Sequence, residues 1–115
     1  NDLSILQDIS VSNAAGEVSE MKDLSGAFQV NAKLFNGEGN AKTVTVVAAV
    51  TDKTTGMLQA VQADALEFAE YQAYGEARLA FLEAPEHPEN YEIKIFAWDS
   101  LGNAAPLDDT IGHFE

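Results

Sequence analysis

The clearest strand signal in the chain spans Asn90 to Asn103, with the sequence NYEIKIFAWDSLGN. Tyr91, Ile93 and Ile95 fall on one face, and the other face carries Phe96 and the only tryptophan, Trp98. A period of two in β-branched and aromatic residues is typical of a β-strand. Apolar residues on both faces indicate that the opposing sheet covers one face of the strand and that a loop or a neighbouring element partly covers the other. The stretch therefore predicts a late strand of a β-sandwich. It contains no catalytic motif.

Two upstream stretches show the same period. Residues 24–36 alternate apolar and polar side chains, which predicts a half-buried strand. Lys42 to Asp52 is apolar on one face and partly apolar on the other, which predicts a central strand. Between them, Asn36-Gly-Glu-Gly-Asn40 contains residues that accept positive φ, and it predicts a hairpin-type connection. The expected inward-facing residues are Phe28, Val30, Ala32 and Leu34, then Val44, Val46, Ala48 and Val50.

The remaining segments are shorter or ambiguous. Residues 1–12 predict an opening strand, 57–61 a short strand after a turn, and 104–115 a short strand or a tail. Residues 62–84 are rich in helix formers, but Gly75 would cost about 1 kcal/mol inside a helix. We predict strands near 65–71 and 75–83, with a helix over 63–72 as the local alternative. Pro85-Glu-His-Pro88 predicts a firm break.

These elements predict one domain over residues 1–115, an all-β antiparallel sandwich of about seven strands. A hydrophobic content of 46% in 115 residues is enough to form one core. The chain has no cysteine, so this core forms without disulfide bonds. The chain begins at Asn1 rather than methionine. We interpret it as a module cut from a larger protein.

The charge balance excludes several classes of partner. Six basic residues stand against 19 acidic ones, a formal charge of −13. Nucleic acids and anionic membranes bind cationic surfaces, so neither is an expected partner. No stretch approaches the roughly 20 apolar residues that span a bilayer. We therefore expect no nucleic-acid binding and no membrane insertion.

Three stretches together carry a family resemblance. They are Phe28-x-Val-x-Ala-x-Leu-x-Asn36, Val46-Val-Ala-Ala-Val-Thr-Asp52, and Tyr91-x-Ile-Lys-Ile-Phe-Ala-Trp-Asp-Ser100 followed by Pro106-Leu107. Across residues 5–107 the chain resembles immunoglobulin-like or fibronectin-type-III-like accessory modules of Gram-positive bacterial cell-surface and polysaccharide-degrading proteins. The resemblance implies an immunoglobulin-like sandwich, extracellular or at the cell surface, that spaces, presents or docks neighbouring domains. It implies no catalytic residue.

Aromatic residues offer an alternative function. Tyr71, Tyr74 and Trp98 could stack on the flat face of a sugar while Asp or Asn side chains bind its hydroxyls. Tyr71 and Tyr74 lie near a predicted turn, where side chains are more often exposed. Core packing is the commoner role of aromatics in sandwiches. A carbohydrate-binding module, with polysaccharide as its partner, therefore stands as the alternative to a spacer or docking module.

Metal and enzyme chemistry have little support in the sequence. No Asp-x-Asp-x-Asp-Gly loop occurs, so a solvated acidic surface is favoured over a calcium site, and calcium stays an open alternative. His87 and His113 are not in a two-ligand spacing, so we predict no metal site and no cofactor. No nucleophile or phosphate-binding motif occurs, and we predict no enzyme. The calcium candidates are Asp52, Asp64, Asp99, Asp108 and Asp109.

Overall fold

The computed structural model describes residues 5–99 and 110–115, with side chains from Asp8 to Ala97 and from Thr110 onward. These ranges form eight strands and two 3₁₀ turns, Met21–Asp23 and Pro88–Asn90, without an α-helix. No helix in the described part of the chain is long and apolar enough to cross a bilayer. The strands are β1 (Ile5–Asn13), β2 (Gly16–Val18), β3 (Phe28–Phe35), β4 (Lys42–Asp52), β5 (Leu58–Phe68), β6 (Tyr74–Phe81), β7 (Tyr91–Asp99) and β8 (Thr110–Phe114).

The strands form two four-stranded antiparallel sheets. The first sheet has the order β2-β1-β3-β6, and the second has the order β5-β4-β7-β8. The chain changes sheet after β3, after β5 and after β6. In the nomenclature of the immunoglobulin fold, β1, β3 and β6 correspond to strands A, B and E of one sheet. In the facing sheet, β5, β4, β7 and β8 correspond to strands C′, C, F and G. The predicted all-β sandwich is confirmed, with eight strands because Gly16–Val18 adds the short strand β2.

Alternate side chains from β3, β4 and β7 meet between the sheets. Every residue predicted to face inward on β3 and β4 is at most 4% exposed. Ile93 and Ile95 of β7 are fully buried opposite them. The Phe28 and Phe81 rings stack with centroids 4.7 Å apart. The predicted period of two therefore places the core correctly, because successive residues of a strand point to opposite faces.

Residues 57–68 differ from the prediction. Leu58–Phe68 is one eleven-residue strand, not two short ones, and the alternative helix over 63–72 does not form. β5 pairs with β4 from Leu58↔Thr51 to Phe68↔Lys42, with one bulge near Thr51. This ladder satisfies backbone groups along the whole segment and overrides the helix propensity of its Ala, Glu and Gln residues.

Gly75 has a packing role rather than the helix-breaking role expected from the sequence. A Cβ atom there would lie 3.1 Å from Leu66 Cδ1 and 3.2 Å from Phe68 Cε1. These are β5 side chains, so β5 and β6 approach closely where the chain crosses between the sheets. The Arg78 backbone N–H of β6 also donates to Asp64 Oδ2 of β5, at 3.2 Å. The small size of Gly75 and this hydrogen bond hold β5 against β6, which closes the sandwich on the side where these two edge strands meet.

The segment Asn36–Asn40 is not the predicted hairpin, because β3 and β4 belong to different sheets. Asn36 is 2% exposed, and its side chain donates to the Asn40 carbonyl and accepts from the Glu38 N–H, at 2.9 and 3.2 Å. Gly39 has the positive φ that the sequence predicted, 73°. Turn residues fix local backbone geometry, but they do not fix which strands pair.

A buried lysine follows this turn. The Lys42 side chain is 1% exposed, and its Nζ donates to Glu38 Oε1 at 3.1 Å. The Glu38 side chain is 41% exposed. A buried ammonium is costly unless it is paired, so the turn supplies the carboxylate that the start of β4 needs.

Glu38→Gln should lower the free energy of unfolding by about 2 kcal/mol, because it leaves the Lys42 ammonium without an acidic partner. Lys42→Met keeps the aliphatic volume and removes the charge, so it should cost little or nothing. Urea denaturation of both variants measures the difference. Equal destabilisation by the two substitutions would contradict this account of the pair.

Candidate functional site

The two predicted tyrosines lie at one end of the first sheet. Tyr71 is 85% exposed, has a positive φ of 68°, and donates its backbone N–H to the Gly39 carbonyl at 2.7 Å. Tyr74 begins β6 and is 49% exposed. Its ring lies 5.4 Å from the Phe35 ring, and Lys33 Nζ is 5.0 Å from its centroid. Part of the Tyr74 ring is therefore packed, whereas the Tyr71 ring is free.

The Trp98 backbone does not lie in the same sheet as Tyr74. It pairs with Thr45 in the second sheet, whereas Tyr74 pairs with Phe35 in the first. The Trp98 side chain lies outside the described residues. Tyr71 lies in the turn before β6, Tyr74 in the first sheet and Trp98 in the second. Only Tyr71 and Tyr74 are near one another along the chain.

A cleft of about 460 Å³ lies between β5 and the segment that follows β6. Its polar lining comes from Gln59, Glu83 and Glu86, and Tyr91 adds an aromatic wall. The Ala84 N–H donates to the Gly26 carbonyl at 2.8 Å, which fixes the segment in place. Sequence reasoning identified Pro85–Pro88 as a break but missed the cleft, because only folding brings β5 beside it.

The outer faces of the two sheets differ in polarity. The first sheet presents polar and charged side chains, among them Asn31, Lys33, Glu76 and Arg78. The second sheet presents a row of apolar side chains that we call the outer apolar face. On β4 its members are almost buried, at 9% and 6% exposed, whereas the β5 members are exposed. The outer apolar face consists of Val47, Ala49, Val61, Ala63, Ala65 and Phe96.

Two of the calcium candidates bind groups of the chain itself. Asp52 Oδ1 accepts the backbone N–H groups of Thr54 and Thr55, at 2.8 and 3.0 Å. These hydrogen bonds, that of Thr55 first, hold the pKa of Asp52 below its ordinary value of 3.8. Asp64 accepts from the Arg78 N–H. The other three, the Asp99 side chain, Asp108 and Asp109, lie outside the described residues.

One group with metal-ligating atoms does form on the second sheet. His113 Nε2 of β8 is within hydrogen-bonding distance of Glu92 Oε1 of β7 and lies 3.1 Å from Glu115 Oε2. One ligand atom from each residue lies within 4.8 Å of the others. Linear spacing did not reveal this group, because 21 residues separate Glu92 from His113 and strand pairing brings them together. His87 contacts only Glu89 among the described carboxylates, at 3.8 Å.

The sequence matches no protein-family model and no curated protein. Among solved structures, the fold is similar to part of a calcium-binding mutant of Bacteroides uniformis beta-glucuronidase 2. The TM-score is 0.57 at 10% identity, over 84% of this chain and 12% of that chain. The two proteins share a sandwich fold. The likeness spans about one eighth of that much longer chain and shows the fold alone. The Gram-positive source and the fibronectin-type-III assignment stay predictions.

Asp52→Ala should destabilise the protein most at neutral pH and progressively less in acid. The lowered pKa means that the folded state favours the charged carboxylate, so its contribution is fully present above the ordinary value of 3.8 and is lost as the pH falls through the folded-state value. Urea unfolding of the wild type and the variant across acidic pH measures the gap. A gap that stays constant down to strongly acidic pH would contradict this role of Asp52.

Proposed function

We propose that the chain is a non-catalytic accessory module that docks against a neighbouring domain of a larger, extracellular carbohydrate-active protein. The outer apolar face carries this proposal. Val61 is 47% exposed, and Ala63 and Ala65 beside it are exposed as well. An exposed contiguous apolar surface on one face of a protein marks an interaction site.

The occupant that fits best is a domain of the same polypeptide. The structural likeness is to a stretch that makes up 12% of a long enzyme chain, which supports a domain with covalently linked neighbours. Such interfaces do not need high intrinsic affinity, because linkage gives a high effective concentration. The first sheet, whose outer face is polar and charged, would then remain in solvent.

A non-catalytic role is supported by the contacts of three of the described acidic residues. Asp52, Asp64 and Glu38 bind backbone N–H groups or a buried lysine of the chain itself. These contacts stabilise turns and the closed side of the sandwich. They leave these three carboxylates with structural roles instead of free positions for acid–base chemistry.

Single cysteines placed on the two outer faces test the docking proposal, since the chain has no natural cysteine. Ala63→Cys lies on the outer apolar face and Ala80→Cys on the outer face of the first sheet, and both alanines are exposed strand residues. Maleimide should label both at similar rates in the 115-residue chain. In the longer polypeptide that we propose, labelling of Cys at 63 should slow at least about tenfold because docking excludes the reagent, whereas labelling at 80 should not change.

Two outcomes would contradict docking through this face. One is equal labelling at position 63 in the isolated chain and in the longer polypeptide. The other is selective protection at position 80, which would place the interface on the first sheet.

Carbohydrate binding is the second candidate function, favoured by Tyr71. A tyrosine that is 85% exposed, held by a backbone hydrogen bond in a turn, presents a ring face without prior packing. The half-exposed Tyr74 lies three residues away. Exposed rigid aromatics contribute contact area at low entropic cost, which suits stacking on the C–H face of a sugar.

Affinity electrophoresis through gels containing plant or bacterial polysaccharides tests this second function. If the tyrosines bind sugar, a polysaccharide should retard the wild type, and Tyr71→Ala should lose most of that retardation. Leu82→Ala is the matched control, because Leu82 is 93% exposed and lies beyond the other end of β6. Absence of retardation by the whole panel, or equal retardation of both variants, would contradict a tyrosine-based sugar site.

A further inference from the structure

We propose that Glu92, His113 and Glu115 form a binding site for a divalent transition-metal ion of the zinc class. The site goes beyond the docking role and lies where β7 pairs with the edge strand β8. Its three side chains offer one imidazole nitrogen and two carboxylate oxygens within 4.8 Å of one another. Zinc binds both imidazole nitrogen and carboxylate oxygen, and its catalytic sites with three protein ligands keep a fourth position open.

Strand pairing sets the positions of the first two ligands. Lys94 lies opposite His113 and Ile93 opposite Phe114 in the β7–β8 ladder. Because Ile93 is fully buried, the adjacent residues Glu92 and Lys94 point away from the core. His113 therefore shares the outer face of the second sheet with Glu92, and its Nε2 points between two carboxylates.

The third ligand is held by a separate contact. The Glu115 carbonyl accepts the Met21 backbone N–H at 2.8 Å, and Met21 is 1% exposed. This hydrogen bond connects the residue after β8 to the 3₁₀ turn Met21–Asp23. The Glu115 backbone is thus positioned before an ion binds, which reduces part of the ordering cost of binding.

A second observation beside the cluster points to a ligand. Thr51 lies directly opposite Glu92 in the β4–β7 ladder, and it is only 9% exposed. Its Oγ1 is buried and has no hydrogen-bond partner among the described residues. Side chains directly opposite in an antiparallel pair have Cβ atoms about 5 Å apart. A water molecule on the proposed ion would supply the partner that this hydroxyl lacks.

The donor set distinguishes the proposed ion from calcium. Calcium takes six to eight oxygen ligands, whereas imidazole suits zinc and its neighbours in the first transition series. The net charge of −13 favours any dication, so it does not discriminate between them. Lys94 Nζ, 3.8 Å from Glu92 Oε2, is the competing cation in the ion-free protein.

Zinc chloride titrated into tag-free, chelator-treated protein at neutral pH tests the site, by calorimetry and by the ring resonances of the two histidines. We expect one ion per chain with micromolar affinity and a selective shift of the His113 ring. His113→Gln and Glu115→Gln should each weaken binding by at least about tenfold. His87→Gln is the matched control and should bind as the wild type does, because His87 contacts only one described carboxylate.

Three results would overturn the proposal. They are absence of zinc binding by the wild type, equal weakening by His87→Gln and His113→Gln, and displacement of zinc by a modest excess of calcium. Circular dichroism of each variant establishes that it is folded. Glu115→Gln keeps the test valid if His113→Gln does not fold, since the Glu115 side chain is 53% exposed and its backbone makes the anchoring hydrogen bond.

Discussion

β4 is hydrogen-bonded along both edges, apolar on its inner face and partly apolar on its outer face, and it determines where the other strands of its sheet lie. Its inner residues Val44, Val46 and Ala48 are fully buried against the first sheet. Complete burial of a valine-sized side chain stabilises a fold by about 1.5–3 kcal/mol. Its edges fix β5 on one side and β7 on the other. The outer apolar face extends from Val47 and Ala49 of this strand onto its two neighbours, and its exposed members lie on β5.

The sequence predicted the elements whose signal is local and missed those that depend on pairing. β3, β4 and β7 alternate over eight or more residues with one side buried, so the period and the core agree. β5 is an edge strand with mostly exposed residues, and its composition therefore resembles that of a surface helix. Asn36–Asn40 has the residues of a tight turn in either a hairpin or a crossover. Likewise Glu92 and His113 become neighbours only through the register of β7 and β8, which no linear motif encodes.

The start of β7 serves two different surfaces through adjacent residues. Tyr91 packs against the core and forms a wall of the cleft, whereas Glu92 points to the opposite side of the sheet beside His113. The cleft, the tyrosine pair and the histidine group thus occupy separate positions around one rigid sandwich. A module of this kind can acquire a ligand or a partner at one position without disturbing the others, because the strands between them share a common buried core.

The close approach at Gly75 limits how this architecture can diverge. Any side chain there would bring its Cβ atom within 3.1 Å of Leu66 and 3.2 Å of Phe68, so these side chains would have to shift where the chain passes from β5 to β6. Surface positions on both strands are free of that restriction. We therefore expect related proteins that retain this crossover to keep the glycine and an aromatic residue seven positions before it. Both should persist after most of the other residues have been replaced.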